Sequence, residues 1–177
     1  MLPLVNPEYE TLMPYVPGKP VSETERELGI SGVVKLASNE NPLGASPKAI
    51  AAIQGALHQI HDYPDGGAFY LKAALAEFHN VRPEQLVMGN GTNEVIELIA
   101  RTCLRPDENI IYAQASFIVY KLVSLALGRE IREVPLKQMR FDLDAIVAAM
   151  DEKTKLVFIA NPNNPTGTYI SKTELDR

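Results

Sequence analysis

The sequence has a single cysteine and no long hydrophobic run, and each of these features excludes some classes of protein. Cys103 has no second cysteine to pair with, which excludes an intrachain disulfide and a zinc site built from several cysteines. We interpret it as a small buried thiol on a helix. No apolar stretch approaches membrane-spanning length, and the N-terminus MLPLVNPEYE carries acids and prolines where a signal peptide needs a basic and then an apolar region. These features predict a cytoplasmic protein.

Runs of lysine and arginine are also missing. The formal net charge of −5, from 17 basic and 22 acidic side chains, argues against nucleic acid or an anionic membrane as a partner. The sequence contains no G-x-G-x-x-G, P-loop or nucleophile-elbow motif. His58 and His61 could share a helix face, but they lack a third ligand, so no metal site is predicted. The expected partners are small molecules.

What the chain does contain is an alternation of strand and helix patterns. Residues 1–45 carry six prolines and suit an extended arm with short turns. Beyond them, strands are predicted at 85–89, 109–113, 130–136 and 155–160, and helices at 46–60, 71–79, 92–104, 117–128 and 142–150. Repeated βα units with nearly all-apolar strands predict a mostly parallel α/β sheet covered by helices on both faces.

The last residues predict one more helix. Ser171 and Glu174 form an S-x-x-E capping box, which is typical of a helix N-terminus. Only one turn follows, and a helix that short is not stable alone. We therefore expect the chain to be the front part of a longer protein.

Several turns at predicted strand ends are candidates for ligand binding, because ligands of open α/β sheets bind beyond the carboxyl ends of the strands. In GNGTNE, a glycine-rich turn opens a helix, where backbone N–H groups, Thr92 and Asn93 could hold a phosphate. The alternative is an ordinary turn capped by Thr92. Phe117 could lie flat on a planar cofactor or pack in the core, and Tyr63 could bind a ligand or simply face solvent on a surface turn. The motif NPNNPTG at 161–167 is either a functional turn or a plain one.

Taken together, LASNENPLG, YPDGG, GNGTNE, ASFIVY and NPNNPTG resemble the pyridoxal-phosphate aminotransferases of fold type I. The likeness is closest to the histidinol-phosphate aminotransferases and covers essentially the whole chain in the same order. It implies the aspartate-aminotransferase-like large domain, truncated here. Residues 1–45 would be the N-terminal arm and the start of the small domain, and residues 46–177 the front part of the cofactor-binding domain.

The resemblance also implies roles for individual residues. Thr92 and Asn93 would hold the cofactor phosphate, Phe117 would stack on the pyridine ring, and Asn164 would hydrogen-bond the ring oxygen O3′. The Asn164–Pro165 peptide is a candidate cis bond. Tyr63 would reach the cofactor phosphate of the neighbouring subunit of a homodimer. Two further positions, Tyr15 and Asn39, would lie near the substrate.

The reaction implied is transamination of histidinol phosphate with 2-oxoglutarate, which gives imidazole-acetol phosphate and glutamate in histidine biosynthesis. None of the nine lysines lies in the context of the family's Schiff-base lysine, so no catalytic residue is assigned and these 177 residues alone are predicted to be inactive. An aromatic amino-acid transaminase and a threonine-phosphate decarboxylase of the same family remain alternatives.

Two other interpretations also remain. The first is a non-catalytic cofactor-binding or dimerising module, which would require the true C-terminus to follow SKTELDR. The second is a doubly wound domain whose Asn-Pro and glycine-rich turns only reverse the chain.

Overall fold

The computed structural model of this chain describes residues 4–10, 12, 13, 15 and 18–176. Its α-helices and strands are α1 (Pro7–Glu10), α2 (Val21–Leu28), α3 (Pro47–Ala56), α4 (Phe69–His79), α5 (Thr92–Cys103), β1 (Asn109–Ala113), α6 (Val119–Ala126), β2 (Glu130–Val134), α7 (Leu143–Ala148), β3 (Thr154–Phe158) and α8 (Lys172–Leu175). Short 3-10 turns cover Leu57–Gln59 and Pro83–Gln85. The chain divides into two compact units. The helical unit is Tyr15–Leu86, and the sheet unit combines the residues before and after that segment.

A three-stranded sheet forms the centre of the sheet unit. Its order is β2-β1-β3 and both pairings are parallel, as the alternation of strand and helix patterns predicts. In β1 all five residues are buried, because their sequence NIIYA is almost entirely apolar and the strand is covered on both faces. The prediction of this strand is confirmed residue for residue.

The two faces of β1 pack against different helices. Ile110 and Tyr112 join a core cluster with α5 and with Tyr120 of α6. The alternate residues Ile111 and Ala113 join a second cluster with α7 and with the loop residues Phe141 and Ile170. Because side chains alternate between the two faces along a strand, the single apolar run of β1 contributes to both core clusters. Helices therefore cover both faces of the sheet, which confirms the predicted α/β architecture.

The prediction of a strand at residues 85–89 is wrong. The backbone at Leu86 is extended, with φ −107° and ψ 126°, but no strand pairing reaches these residues in the described part of the chain. Val87 is 70% exposed. A strand requires hydrogen bonds to a neighbour, so an apolar local sequence alone does not produce one.

The helical unit contains α2, α3 and α4. Pro47 is the first residue of α3, which confirms the predicted helix start. Two short helices, α1 in the sheet unit and α2 in this one, occupy the region expected to be an extended arm. Pro7 is the first residue of α1, and Gly29 ends α2 in a left-handed conformation with φ 64°. A proline and a glycine therefore bound helices in this region. The predicted domain boundary after residue 45 stays a prediction.

Apolar side chains of the helical unit are largely exposed. Ala76 is the one buried residue among those that the structure describes in this unit. On α3 and the turn after it, apolar side chains at helical spacing are 45–78% exposed, namely Ile50, Ile53, Leu57 and Ile60. None of the described helices combines the length and the apolar character needed to cross a lipid bilayer.

Candidate functional site

The loops that follow β1 and β3 meet at the carboxyl edge of the sheet. These two strands are hydrogen-bonded neighbours, so their carboxyl ends lie side by side. The hydroxyl of Ser116, in the loop after β1, donates to Oδ1 of Asn163, in the turn after β3, at 2.8 Å. This contact places Phe117 and Asn164, the next residue of each loop, near the same point of the edge.

Asn163 has the most extensive hydrogen bonding in the turn after β3. Its side chain is 2% exposed, and Nδ2 donates to the carbonyl of Ala115 at 3.2 Å and to Thr166 Oγ1 at 2.9 Å. Its backbone N–H donates to the Thr168 carbonyl at 2.7 Å, and its carbonyl accepts from Gly167 N–H at 2.7 Å. Buried polar groups are costly when unpaired, and here they are paired. The asparagine therefore fixes both its own turn and the neighbouring loop.

The turn at 161–167 has two cis peptide bonds, Asn161–Pro162 and Asn164–Pro165. The second confirms the candidate cis bond predicted from the sequence. Asn161 closes the turn at its base, because its side chain accepts from Ile170 N–H at 2.8 Å and donates to the Ile170 carbonyl at 2.9 Å. Asn161 thus ties the start of the turn to Ile170, three residues past its end.

Asn164 and Phe117 differ in burial. Asn164 is exposed on the turn. Phe117 is half-buried and packs edge to face against Tyr120, with ring centroids 5.8 Å apart and an interplanar angle of 83°. Tyr120 in turn stacks on Phe158 at 4.6 Å. Packing therefore fixes one part of the Phe117 ring, and the remainder is accessible at the edge of the sheet.

The glycine-rich turn leads into α5 as predicted. Gly91 precedes the helix with φ 83°, a conformation that favours glycine, and the side chains of Thr92 and Asn93 are exposed in its first turn. The carboxylate of Glu94 accepts hydrogen bonds from the backbone N–H of Asn90 at 2.6 Å and from its side-chain Nδ2 at 3.0 Å, so it binds both N–H donors of Asn90. A Cβ on Gly89 would lie 2.8 Å from Val95 Cγ2, which explains the glycine there.

The topology places the start of α5 at the carboxyl edge. Only Leu104–Glu108 separate the end of α5 from the start of β1, so the helix ends near the amino edge of the sheet. Ile96, Ala100 and Leu104 pack along the same face of the sheet as Ile110 and Tyr112 of β1. The twelve-residue helix therefore runs back along the sheet, and its N–H groups point toward the edge where the β1 and β3 loops meet.

The amino edge of the sheet holds a different polar cluster. Asp151 accepts from Arg132 Nη2 at 2.5 Å and from Asn109 Nδ2 at 3.1 Å, and Thr154 Oγ1 donates to Asn109 Oδ1 at 2.9 Å. The Arg132 and Asn109 bonds hold the pKa of Asp151 well below its usual range. Asn109, Arg132 and Thr154 belong to the three strands, and Asp151 lies just before β3, so the cluster ties the strands together.

The remaining predicted site residues belong to the helical unit. Tyr63 is fully exposed on a loop that Asp65 orders by accepting from Gly67 N–H and Phe69 N–H, both at 2.8 Å. The Phe69 and Gly67 bonds lower the pKa of Asp65. Tyr15 and Asn39 are exposed. Their membership of a cofactor or substrate site stays a prediction.

Sequence reasoning did not identify Ser116, Asn163 or Glu94. Asn163 is one of three asparagines in a single motif, and only its burial separates it from Asn164. Two features of the sequence could have indicated these residues. Ser116 is a short hydroxyl residue just after a buried strand, and Glu94 is an acidic residue in the first turn of a helix.

The donor set at the carboxyl edge fits a phosphorylated planar cofactor. A helix N-terminus with an exposed hydroxyl and an exposed amide suits a phosphate, Phe117 offers an aromatic face, and Asn164 offers an amide. No group of three His, Cys, Asp or Glu side chains in the described ranges is arranged to hold a metal ion.

Residues 31–177 match the family model of aminotransferase class I and II. The chain is 52% identical over 171 residues to histidinol-phosphate aminotransferase 1 of Mannheimia succiniciproducens, covering 97% of this chain and 47% of the relative. It is 51% identical over 177 residues to histidinol-phosphate aminotransferase 2 of Pseudomonas fluorescens, covering 99% of this chain and 48% of the relative. The chain thus spans about half the length of these curated relatives.

Solved structures show the same fold. Histidinol-phosphate aminotransferase from Sinorhizobium meliloti in complex with pyridoxal-5'-phosphate aligns with TM-score 0.80 and 25% identity, over 93% of this chain and 44% of that chain. The histidinol-phosphate aminotransferase from Clostridium acetobutylicum aligns with TM-score 0.68 and 27% identity, over 78% of this chain and 40% of that chain. The sheet unit is therefore part of the fold of these aminotransferases, which confirms the predicted fold class.

Proposed function

Since this chain belongs to the class I and II aminotransferase family, we propose that it forms the N-terminal half of a histidinol-phosphate aminotransferase. The parent protein would transfer the amino group of histidinol phosphate to 2-oxoglutarate in histidine biosynthesis. One observation carries this proposal: identity of 52% and 51% to two proteins of that name over nearly the whole chain. The predicted cytoplasmic location stays a prediction.

Pyridoxal phosphate would bind at the carboxyl edge of the sheet. Thr92 and Asn93 would donate to its phosphate at the start of α5, where the helix dipole favours an anion. Phe117 would cover one face of the ring and exclude water from it. The amide of Asn164 would donate to the ring oxygen. When bound, the cofactor supplies an electron sink for charge that develops at the substrate α-carbon.

The parent protein would act as a homodimer. Tyr63 would reach the cofactor phosphate of the neighbouring subunit, which agrees with its complete exposure in this chain. The exposed apolar residues of α3 also support a partner surface, since an unpartnered apolar stripe of this kind marks an interface. Tyr15 and Asn39 would lie near the substrate.

The 177 residues alone would not transaminate. Transamination requires a lysine that would hold the cofactor and would move a proton at the substrate α-carbon. None of the nine lysines lies on the turns that carry Thr92, Phe117 or Asn164. Chemistry would therefore require residues beyond those present here.

The test compares the chain with its complete gene product. Each is incubated with pyridoxal phosphate, reduced with borohydride and weighed by intact mass spectrometry. We expect one specific adduct on a chain about twice as heavy as 19.5 kDa and none on the short chain. Turnover of histidinol phosphate well above that of phenylalanine would support the substrate. Faster conversion of phenylalanine would contradict it and favour an aromatic transaminase.

A further inference from the structure

Asn163 and Ser116 lie beside the two residues that would contact the cofactor ring. Asn163 precedes Asn164 in the chain, and Ser116 precedes Phe117. We propose that Asn163 and Ser116 are positioning residues, which set the separation and orientation of Asn164 and Phe117 for the cofactor. This inference rests on the proposed function, because it assigns the cofactor to that edge.

The side chain of Asn163 links the two loops. Its Oδ1 accepts from Ser116 Oγ at 2.8 Å, and its Nδ2 donates to the Ala115 carbonyl at 3.2 Å. Both of these partners belong to the loop after β1. The third bond, to Thr166 Oγ1 at 2.9 Å, stays within its own turn. Because Asn163 is only 2% exposed, water cannot readily replace these hydrogen-bond partners.

The loop after β1 needs such support at Ala115. This residue has φ 48°, in the left-handed region that residues other than glycine rarely adopt. A conformation of this kind persists only where the surroundings hold it. The Asn163 amide holds the Ala115 carbonyl directly. The direction of the chain into Ser116 and Phe117 therefore depends on a residue of the other loop.

Asn161 offers a matched control within the same motif. Its side chain also makes two hydrogen bonds, but both go to the backbone of Ile170 on the continuation of its own turn. Replacing Asn161 therefore removes bonds of the same type from the same turn without touching the loop after β1. A merely structural role would give Asn161→Ala and Asn163→Ala the same consequences.

The experiment uses the complete gene product. Wild type, Ser116→Ala, Ser116→Thr, Asn163→Ala, Asn161→Ala and the double variant of Ser116 and Asn163 are titrated with pyridoxal phosphate. Three quantities are measured: the Kd of the cofactor, the visible circular dichroism per bound cofactor at saturation, and the unfolding temperature without cofactor. The dichroism reports how the ring is held and is normalised for occupancy.

We expect Ser116→Ala and Asn163→Ala to weaken cofactor binding by about two- to tenfold, the equivalent of one hydrogen bond. Both should change the dichroism per bound cofactor, and the double variant should show less than the sum of the single effects, because the residues share one bond. Ser116→Thr keeps the hydroxyl donor, so its cofactor affinity and dichroism should remain at the wild-type values. Asn161→Ala should lower the unfolding temperature at most and leave the dichroism unchanged.

Unchanged affinity and dichroism in Ser116→Ala would overturn the inference, as would equal dichroism changes in Asn161→Ala and Asn163→Ala. If Asn163→Ala does not fold, the Ser116 variants decide the question. A wild-type protein that binds no pyridoxal phosphate would overturn the proposed function and this inference with it. A wild type that binds the cofactor while Ser116→Ala behaves identically overturns this inference alone.

Discussion

The sheet unit and the helical unit differ in where their apolar residues lie. β1 is buried at every position and contributes side chains to one core cluster on each face of the sheet. In the helical unit, Ala76 is the one described residue that is buried, although α3 and α4 carry many apolar side chains. Helical sequence patterns thus form helices in both units, but among the residues that the structure describes the core clusters belong to the sheet unit. We infer that the helical unit requires a partner surface, whereas the sheet unit supplies its own support for the loops at its carboxyl edge.

The largest expected contrast is between two isoleucines. Ile111 is fully buried in β1, and Ile53 of α3 is 64% exposed. Replacing Ile111 with alanine should lower the free energy of unfolding by about 2–5 kcal/mol, because it leaves a cavity in a packed core. Replacing Ile53 should cost less than about 0.5 kcal/mol at concentrations where the protein is monomeric. Urea denaturation of both variants measures the difference, and equal losses would show that Ile53 contributes as much to stability as Ile111.

The same pair also tests the proposed dimer. If α3 lies in a subunit interface, the cost of Ile53→Ala should grow with protein concentration and the variant should dissociate more readily. The cost of Ile111→Ala should be independent of concentration. Sedimentation equilibrium measures this, and a wild-type protein that stays monomeric at every concentration would contradict the dimer.

A smaller contrast concerns helix capping. Asp142 caps α7 by accepting from Ala145 N–H at 3.0 Å, whereas Ser46 precedes α3 without a side-chain cap bond. Asp142→Ala should therefore destabilise the protein by about 1 kcal/mol, and Ser46→Ala by much less. Thermal unfolding followed by circular dichroism tests both. A larger loss for Ser46→Ala would show that α3 contributes more to stability than its exposure indicates.

The smallest contrast at neutral pH concerns two aspartates with lowered pKa values. Arg132 and Asn109 lower the pKa of Asp151, and the Phe69 and Gly67 amides lower that of Asp65. A lowered folded-state pKa contributes stability above the unfolded value of about 3.9, and this stability is lost as the pH falls through the folded value.

Acidification should therefore affect the two units differently. Asp151 is tied to all three strands, so its protonation should destabilise the sheet, and Asp151→Asn should make stability less dependent on pH below about 4. Asp65 orders one loop, so Asp65→Asn should increase hydrogen exchange only around Tyr63. Unfolding curves between pH 7 and pH 2 measure the first effect. Identical pH dependence of wild type and Asp151→Asn would contradict the assignment.

Local sequence was sufficient for elements that are apolar along their whole length or that carry their own boundary signals. The sequence NIIYA gave a correct strand because it is buried on both faces, and the capping box of Ser171 and Glu174 begins α8 as predicted. The strand predicted at 85–89 failed because pairing depends on a neighbour that local pattern does not reveal. Two prolines of the first 45 residues lie at helix starts, Pro7 as the first residue of α1 and Pro20 as the residue before α2.

The site was predictable only in part for a similar reason. The motifs located the turns, and the resemblance implied that Asn164 hydrogen-bonds the cofactor ring oxygen; its exposure is seen only in the structure. That Asn163 faces inward depends on Ser116 and Ala115, residues about fifty positions earlier in the chain. Propensity cannot separate the adjacent asparagines Asn163 and Asn164, because tertiary partners decide which of the two side chains is buried.

Hydrogen exchange of the complete gene product, with and without pyridoxal phosphate, tests the proposal that the carboxyl edge of the sheet unit binds this cofactor. We expect slower exchange at residues 92–94, 116–118 and 163–167 when the cofactor is bound. At the amino edge, residues 105–109 and 151–154 should not change. Protection at the amino edge, or cofactor binding without protection at the three carboxyl-edge segments, would contradict the claim.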